Sequence, residues 1–348
     1  MHPAHWARQK LASRSAPPEG YFEIDMNERI ATIFVIGECM IELQRDGSGL
    51  AYRFGGDTLN AAVYLARLID RERFAVAYVT GLGTDAMSAE MCATWEKEGI
   101  ATQWVQRLPD KLPGMYMIET DPRGERRFHY WRNDSAARYW LTGPQSPDVC
   151  KALSTAPTIY LSGISLAILP PSDRELLFES IAACRQRGGK IVFDNNYRPR
   201  LWPDRETAVA AYRGVLEMTD IALLTLDDEE ALYGTAGAEL ATSAAIESAT
   251  ESAITRARLL GVREVVVKRG ADSCIVQAGD QRIEAEPERV SKVVDTTAAG
   301  DSFGAAYLAV RLAGGTPSDA ARAGHRLAAT VIQHRGAIIP LEAMPQSA

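Results

Sequence analysis

Residues 296–301, Thr-Thr-Ala-Ala-Gly-Asp, stand directly before a long apolar run that ends near Gly315. Small residues in such a turn leave backbone N–H groups unobstructed. At a helix N-terminus those groups also carry the positive end of the helix dipole, so an anion such as a phosphate fits there. Asp301 beside them could take a proton from a reacting hydroxyl. Ser, Thr and Asp equally favour plain helix starts, so the pattern by itself also admits a cap without chemistry. A phosphate cradle has work to do only if an acceptor can reach it, and the other polar residues of the chain decide between the two.

Those residues recur just after runs rich in Val and Ile. They are Gly55, Gly56, Asp57 and Asn60; Gly81, Gly83 and Asp85; Ser162 and Gly163; Asp194 to Arg198; Thr225 to Glu229; and Lys268 to Asp272. Small residues, carboxylates and cations in that mixture suit phosphate and sugar chemistry better than an apolar ligand. Gly-Leu-Gly-Thr-Asp-Ala at 81–86 matches a dinucleotide fingerprint only weakly, since no acidic ribose partner follows on a strand about 20 residues later. A Walker-type G-x-x-x-x-G-K-[ST] is absent from the sequence, and His129, His325 and His334 have no metal-ligand spacing.

The elements that must position these residues alternate. The sequence predicts strands over 33–43, 74–83, 158–166, 190–196, 220–226 and 264–270. Between and after them it predicts helices over 57–70, 85–99, 172–188, 301–313 and 317–334. Buried strands separated by amphipathic helices predict an α/β fold with a mostly parallel central sheet and helices on both faces. Ligands of such sheets bind beyond the carboxyl ends of the strands, which is where the polar residues fall. Two stretches break the alternation: 114–132, a hairpin around Asp-Pro-Arg-Gly-Glu, and 39–56, a strand pair with a Gly-rich turn. Together they predict a small β-sheet lid, with Tyr116, Tyr130 and Arg132 facing the cleft.

The 348 residues carry 46% hydrophobic and 24% charged side chains and a formal charge of −7, the composition of an ordinary globular protein. An acidic balance argues against a nucleic-acid binder, and no apolar run reaches the roughly 18 residues of a membrane span. Five scattered cysteines without zinc-like spacing predict reduced thiols and a cytoplasmic protein. Residues 1–25 are polar, without an apolar signal core, and are expected to be a dispensable leader to a domain over 26–348.

The motifs together resemble the ribokinase-like carbohydrate kinases. The resemblance rests on Phe-Gly-Gly-Asp-Thr-Leu-Asn (54–60) and Asp-Thr-Thr-Ala-Ala-Gly-Asp (295–301), in order and distance. It extends through Ile-Gly-Glu-Cys (36–39), His-Tyr-Trp-Arg-Asn (129–133), 193–202, 224–232 and 265–274. It implies a three-layer fold with a lid, and phosphorylation by ATP and Mg²⁺ of the terminal hydroxyl of a 2-keto-3-deoxy sugar acid. By that resemblance Asp301 is the base, and Ala298, Ala299 and Gly300 offer N–H groups to the transferring phosphate. Gly55, Gly56, Asp57, Asn60, Tyr116 and Tyr130 bind the sugar, and Arg132 and Arg198 its carboxylate. The nucleotide falls on Asn196, Lys268, Arg269, Gly270, Ala271 and Asp272, besides the 298–300 loop. Asp228 and Glu229 reach Mg²⁺ through water, and Asp295 is a candidate for a monovalent cation. Relatives usually place glycine at position 298, so alanine there is expected to serve only if its φ is negative. A kinase for a neighbouring sugar acid or ketose and a non-catalytic sugar-acid sensor are the alternative readings. A homo-oligomer is expected through the exposed edge of the lid.

Overall fold

The computed structural model describes residues 30–46, 49–120, 126–234 and 242–345. The leader expected over 1–25 and the hairpin turn at 121–125 lie outside the described residues.

The chain begins with β1 (Ala31–Ile36), β2 (Met40–Asp46), β3 (Gly49–Gly55), α1 (Asp57–Leu68), β4 (Phe74–Leu82) and α2 (Ala86–Lys97). The short β5 (Ile100–Ala101) and β6 (Val105–Arg107) follow, then the hairpin β7 (Gly114–Thr120) and β8 (Arg126–Trp131). Next come α3 (Ser146–Ser154), β9 (Thr158–Ser162), α4 (Gly163–Ala167), α5 (Pro171–Gln186), β10 (Lys190–Asp194) and α6 (Arg205–Leu216). The rest is β11 (Ile221–Thr225), α7 (Leu226–Tyr233), α8 (Ser243–Leu259), β12 (Glu264–Lys268), β13 (Cys274–Ala278), β14 (Gln281–Ala285), α9 (Ala299–Leu312) and α10 (Pro317–Val331).

The large sheet runs β14-β13-β12-β11-β10-β9-β1-β4-β5, with β6 also on β4. Its pairs from β12 through β5 are parallel, as the runs of buried Val, Ile and Leu require for strands covered on both faces. Two apolar clusters fill its two sides. Val35, Tyr78, Val192, Leu223 and Val266 point to one, packed by α1, α9 and α10; Ile36, Val79, Ile191, Leu224 and Val267 point to the other. The antiparallel hairpin β13–β14 extends one edge, which strand alternation by itself did not announce.

The second sheet, order β3-β2-β7-β8, is the expected lid. Residues 33–43 are therefore two strands in two sheets rather than one. The chain turns at Gly37–Cys39, where a Cβ on Gly37 would fall 1.9 Å from the Thr58 hydroxyl oxygen. The 158–166 run likewise splits: Ser162 ends β9 and caps α4 in a reciprocal box with Ser165, so 163–167 are helical.

Candidate active site

The carboxyl ends of β10, β11 and β12 and the N-termini of α1 and α9 open onto one cavity of about 460 Å³, roofed by the lid. Gly55, Gly56, Asp57, Asn60, Tyr116, Tyr130, Asn196, Arg198, Lys268, Ala298, Ala299, Gly300 and Asp301 all line it. Residues more than 240 positions apart thus meet: the Asn60 amide donates to Asp301 Oδ2 at 2.8 Å. Gly56 precedes α1 because the chain there crosses the lid's hinge, and a Cβ would stand 2.1 Å from the Glu38 carbonyl oxygen.

Three carboxylates share this floor. Lys268 Nζ holds Asp194 Oδ2 at 2.8 Å, and the Asn196 amide donates to Asp57 Oδ2 at 2.7 Å. Among the described residues no cation forms an ion pair with Asp301. Loss of water around it and the nearby charge of Asp57 push its carboxyl up to about 8, against the opposing pull of Asn60; Asp194 adds to the rise and Lys268 opposes it. Such a group holds a proton strongly, as a base that accepts one from an alcohol should.

The 295–301 turn is built by its own side chains. Asp295 Oδ1 accepts from the Thr297 N–H at 3.1 Å and hydroxyl at 2.7 Å, and its Oδ2 accepts from the Gly336 N–H at 3.0 Å. Ala298 precedes α9 with φ 62°, in the left-handed region. The negative φ expected of an alanine that serves here is therefore not found: the turn imposes the conformation, and the methyl group bears the strain. An L-residue in that region costs about 1–2 kcal/mol, and glycine returns about 0.5–1 of this as chain entropy on folding. Ala298→Gly should raise stability by up to about 1 kcal/mol; a urea midpoint at or below that of the parent protein would contradict the strain. The donor set also differs from expectation. The Ala299 N–H is spent on the Thr296 carbonyl at 3.2 Å, whereas among the described residues the N–H groups of Ala298, Gly300 and Asp301 have no partner. A Cβ placed on Gly300 would lie 3.5 Å from Lys268 Nζ, so the ammonium stands beside these donors.

Asn196 is the other non-glycine residue at positive φ among those described, at 26°. Its neighbour Asn195 enforces this: Asn195 Oδ1 accepts from the Asn196 and Thr225 N–H groups at 2.8 and 2.9 Å, and Nδ2 donates to the Thr225 carbonyl at 3.1 Å. The ends of β10 and β11 are locked together, and the Asn196 side chain is turned to Asp57.

Several expected residues stand elsewhere. Glu229 is buried behind α7, gripped by Arg256 at 2.6 Å and by Asn195 at 3.2 Å, so Asp227 and Asp228 face the cavity in its place. Burial pushes the Glu229 carboxyl up to about 7, against the pull of Arg256. Arg269 is turned to the β13–β14 hairpin, where Ser273, Glu284 and Glu247 take its guanidinium. Gly270, Ala271 and Asp272 form an exposed turn beyond β12, outside the cavity wall. Arg132 is not free either: it is buried against Glu38, which also accepts from Ser135 Oγ at 2.5 Å. Its Nε has no partner among the described residues, and the residue lines an adjoining cavity of about 1030 Å³. Arg127, Arg198, Arg200, Phe128 and Tyr130 line that space too. Tyr116 spends its hydroxyl on Glu42, leaving its ring against Phe128 and Tyr130 at centroid distances of 6.2 and 5.7 Å.

Sequence reasoning missed Phe128, and it gave Asp194 and Asp227 no role beyond their place in the strand-end runs. The i, i+2 spacing of Phe128 and Tyr130 on one strand would have placed both on one face. Met40, Ile164 and Ala337 reach the cavity from a hinge, a short helix and a late loop, for which the sequence carries no signal.

A parallel sheet with a lid, and a carboxylate at a helix N-terminus beneath it, define a sugar kinase. The chain belongs to the pfkB family of carbohydrate kinases, whose profile matches residues 31–344. The 2-dehydro-3-deoxygluconokinase of Dickeya dadantii (strain 3937) is 54% identical over 316 residues, 90% of this chain and 98% of the relative. That of Escherichia coli (strain K12) is 52% identical over 323 residues, 92% and 100% of the two chains. The fructokinase of Xylella fastidiosa solved with bound ATP shares the fold at 22% identity, with a TM-score of 0.74 over 90% of this chain and 95% of its own.

Proposed function

We propose that this kinase transfers the γ-phosphoryl group of ATP to the terminal (6-) hydroxyl of 2-dehydro-3-deoxy-D-gluconate, giving 2-dehydro-3-deoxy-6-phospho-D-gluconate. The observation that carries the reading is that a proton-holding carboxylate and unpaired helix-terminal N–H groups line one cavity, joined at Arg198 to an arginine-lined pocket. The relatives at 52–54% identity support the choice of sugar acid.

In the proposed reaction the substrate oxygen forms its bond to phosphorus as the bond to the ADP oxygen breaks, and ADP leaves with that electron pair. Asp301 takes the hydroxyl proton. The N–H groups of Ala298 and Gly300 and the Lys268 ammonium meet the charge on the phosphoryl oxygens. Asn196 and the turn 270–272 border the nucleotide. The sugar lies between Gly55, Gly56, Asp57 and Asn60 below and the Tyr116, Phe128 and Tyr130 rings above, with its carboxylate toward Arg198 and the adjoining pocket that Arg132 lines. Magnesium, when bound with the nucleotide, neutralises phosphate charge. Among the described residues no group of three or more His, Cys, Asp or Glu could hold a metal, so the fit is to Asp227 and Asp228 together with phosphates and water, the usual mode for this ion. Asp295 lends no support to a monovalent cation, because one of its oxygens accepts hydrogen bonds within the turn and the other from Gly336.

Exposed Leu50 and Tyr52 on one edge strand of the lid, and Trp131 on the other, support the homo-oligomer reading, which light scattering tests. Among the described residues no helix is long and apolar enough to cross a membrane.

Coupled ADP release measured across sugar acids and neutral sugars tests the activity; turnover with neutral ketoses alone would sink it. Arg198, half exposed and held among the described residues by the Tyr197 carbonyl at 2.7 Å and Asp228 at 3.2 Å, can turn to a ligand. Arg198→Ala should raise KM for the sugar acid by roughly tenfold or more, the worth of a charged hydrogen bond. An equal rise for neutral substrates would remove its carboxylate role.

A further inference from the structure

Asn60 is buried, 4% exposed, in the second turn of α1. Its backbone is helical, with its N–H on the Gly56 carbonyl at 2.8 Å. Its side chain makes one hydrogen bond, from Nδ2 to Asp301 Oδ2 at 2.8 Å, and its Oδ1 has no partner among the described residues. A buried acceptor without a donor is costly and calls for a reason.

We propose that Asn60 is a positioning residue for Asp301, holding the base in both protonation states through one reversible amide. This rests on the reading of Asp301 as the base. Before transfer Asp301 is a carboxylate, and the amide N–H donates to it. After transfer it is a carboxylic acid whose O–H needs an acceptor, and a half turn of the same amide presents Oδ1. Only Asn among side chains of this length offers both a donor and an acceptor in one plane. An aspartate would repel the base, and a serine is too short. With Nδ2 turned to Asp301 the amide serves the ionised form, and Oδ1 is idle in that arrangement because it serves the protonated one.

The groups facing Asp301 are Asp57, Tyr64 and Asn60 from α1, Asp194 from β10, Tyr160 from β9 and Lys268 from β12. Asp57 and Asp194 hold the proton on; Lys268 and Asn60 ease it off. Of the latter two, only Asn60 touches the carboxyl, and its bond to the charged carboxylate is stronger than its bond to the neutral acid, so its removal should move the titration of the base toward higher pH.

The test is the pH profile of kcat/KM from pH 6 to 10 for the parent protein, Asn60→Ala and the volume-conserving Asn60→Leu. The midpoint of the ascending limb should rise by about one unit. That makes a deficit of about tenfold near pH 7, closing to about twofold at pH 9 and nearly vanishing by pH 10. The same shift should appear without turnover in a carboxyl-carbon NMR titration of the ligand-free protein, with the Asp301 signal assigned by its loss in Asp301→Asn. A deficit that is equal at every pH, with an unmoved NMR midpoint, would overturn the proposal and reduce Asn60 to packing or substrate contact. If Asp301→Asn itself retains turnover, the base assignment fails instead, a separate and distinguishable result.

Discussion

Asp301→Asn should lower kcat by about 10²–10⁴-fold, the usual worth of a positioned general base, with the nucleotide and the sugar acid still bound. The amide keeps the size of the carboxyl and its place in the first turn of α9, but it cannot take the hydroxyl proton. Its loss also removes a negative charge from beside Asp57 and Asp194. Binding of an anionic substrate should therefore hold or tighten while the chemical step fails, and single-turnover kinetics separates the two. The pH dependence has a definite sign. A base must be ionised to act, and burial with two carboxylate neighbours holds Asp301 at about 8. The activity of the free enzyme should therefore rise with pH through that region, not through the ordinary carboxylate range near 4. An acid limb centred near 4, or a kcat within threefold of the parent in Asp301→Asn, would remove Asp301 from the reaction.

The second large effect is on stability. Arg132→Ala should destabilise the fold by about 3–5 kcal/mol, because among the described residues it leaves a fully buried Glu38 carboxylate with only the Ser135 hydroxyl. Glu38 lies in the crossing from β1 to β2, and Arg132 follows β8, so the pair ties the first and last strands of the lid to one point on the large sheet. Removing both partners should cost less than removing Arg132 alone, since no unpaired charge then remains. Urea midpoints of Arg132→Ala, Glu38→Gln and the double variant check this. Additive losses below about 1 kcal/mol each would mean that water reaches the pair and screens it. Arg198→Ala is the natural contrast: its side chain is 52% exposed, and its loss should be felt in substrate affinity rather than in folding.

The sequence by itself determined the layers of the large sheet, the existence of a lid and most of the cavity wall. Periodicity and strand-end polar residues are local signals, and the physics that reads them is local: apolar faces must be buried, and helix ends must leave N–H groups bare. Three-dimensional packing decided the rest. Nothing local distinguishes Asp228 from Glu229, yet one helical step of about 100° turns the first to the cavity and the second to Arg256. Lys268 and Arg269 are adjacent cations at a strand end, and the pleat sends one to Asp194 and the other to the hairpin behind. Arg132 resembled a free carboxylate clamp because its partner, Glu38, is 94 residues away. The left-handed Ala298 likewise depends on Asp295 and on Gly336, brought in by the loop after α10. Residue type and period set which groups could do chemistry; the tertiary contacts of each side chain set its direction and its partner, and so which of them face the substrate.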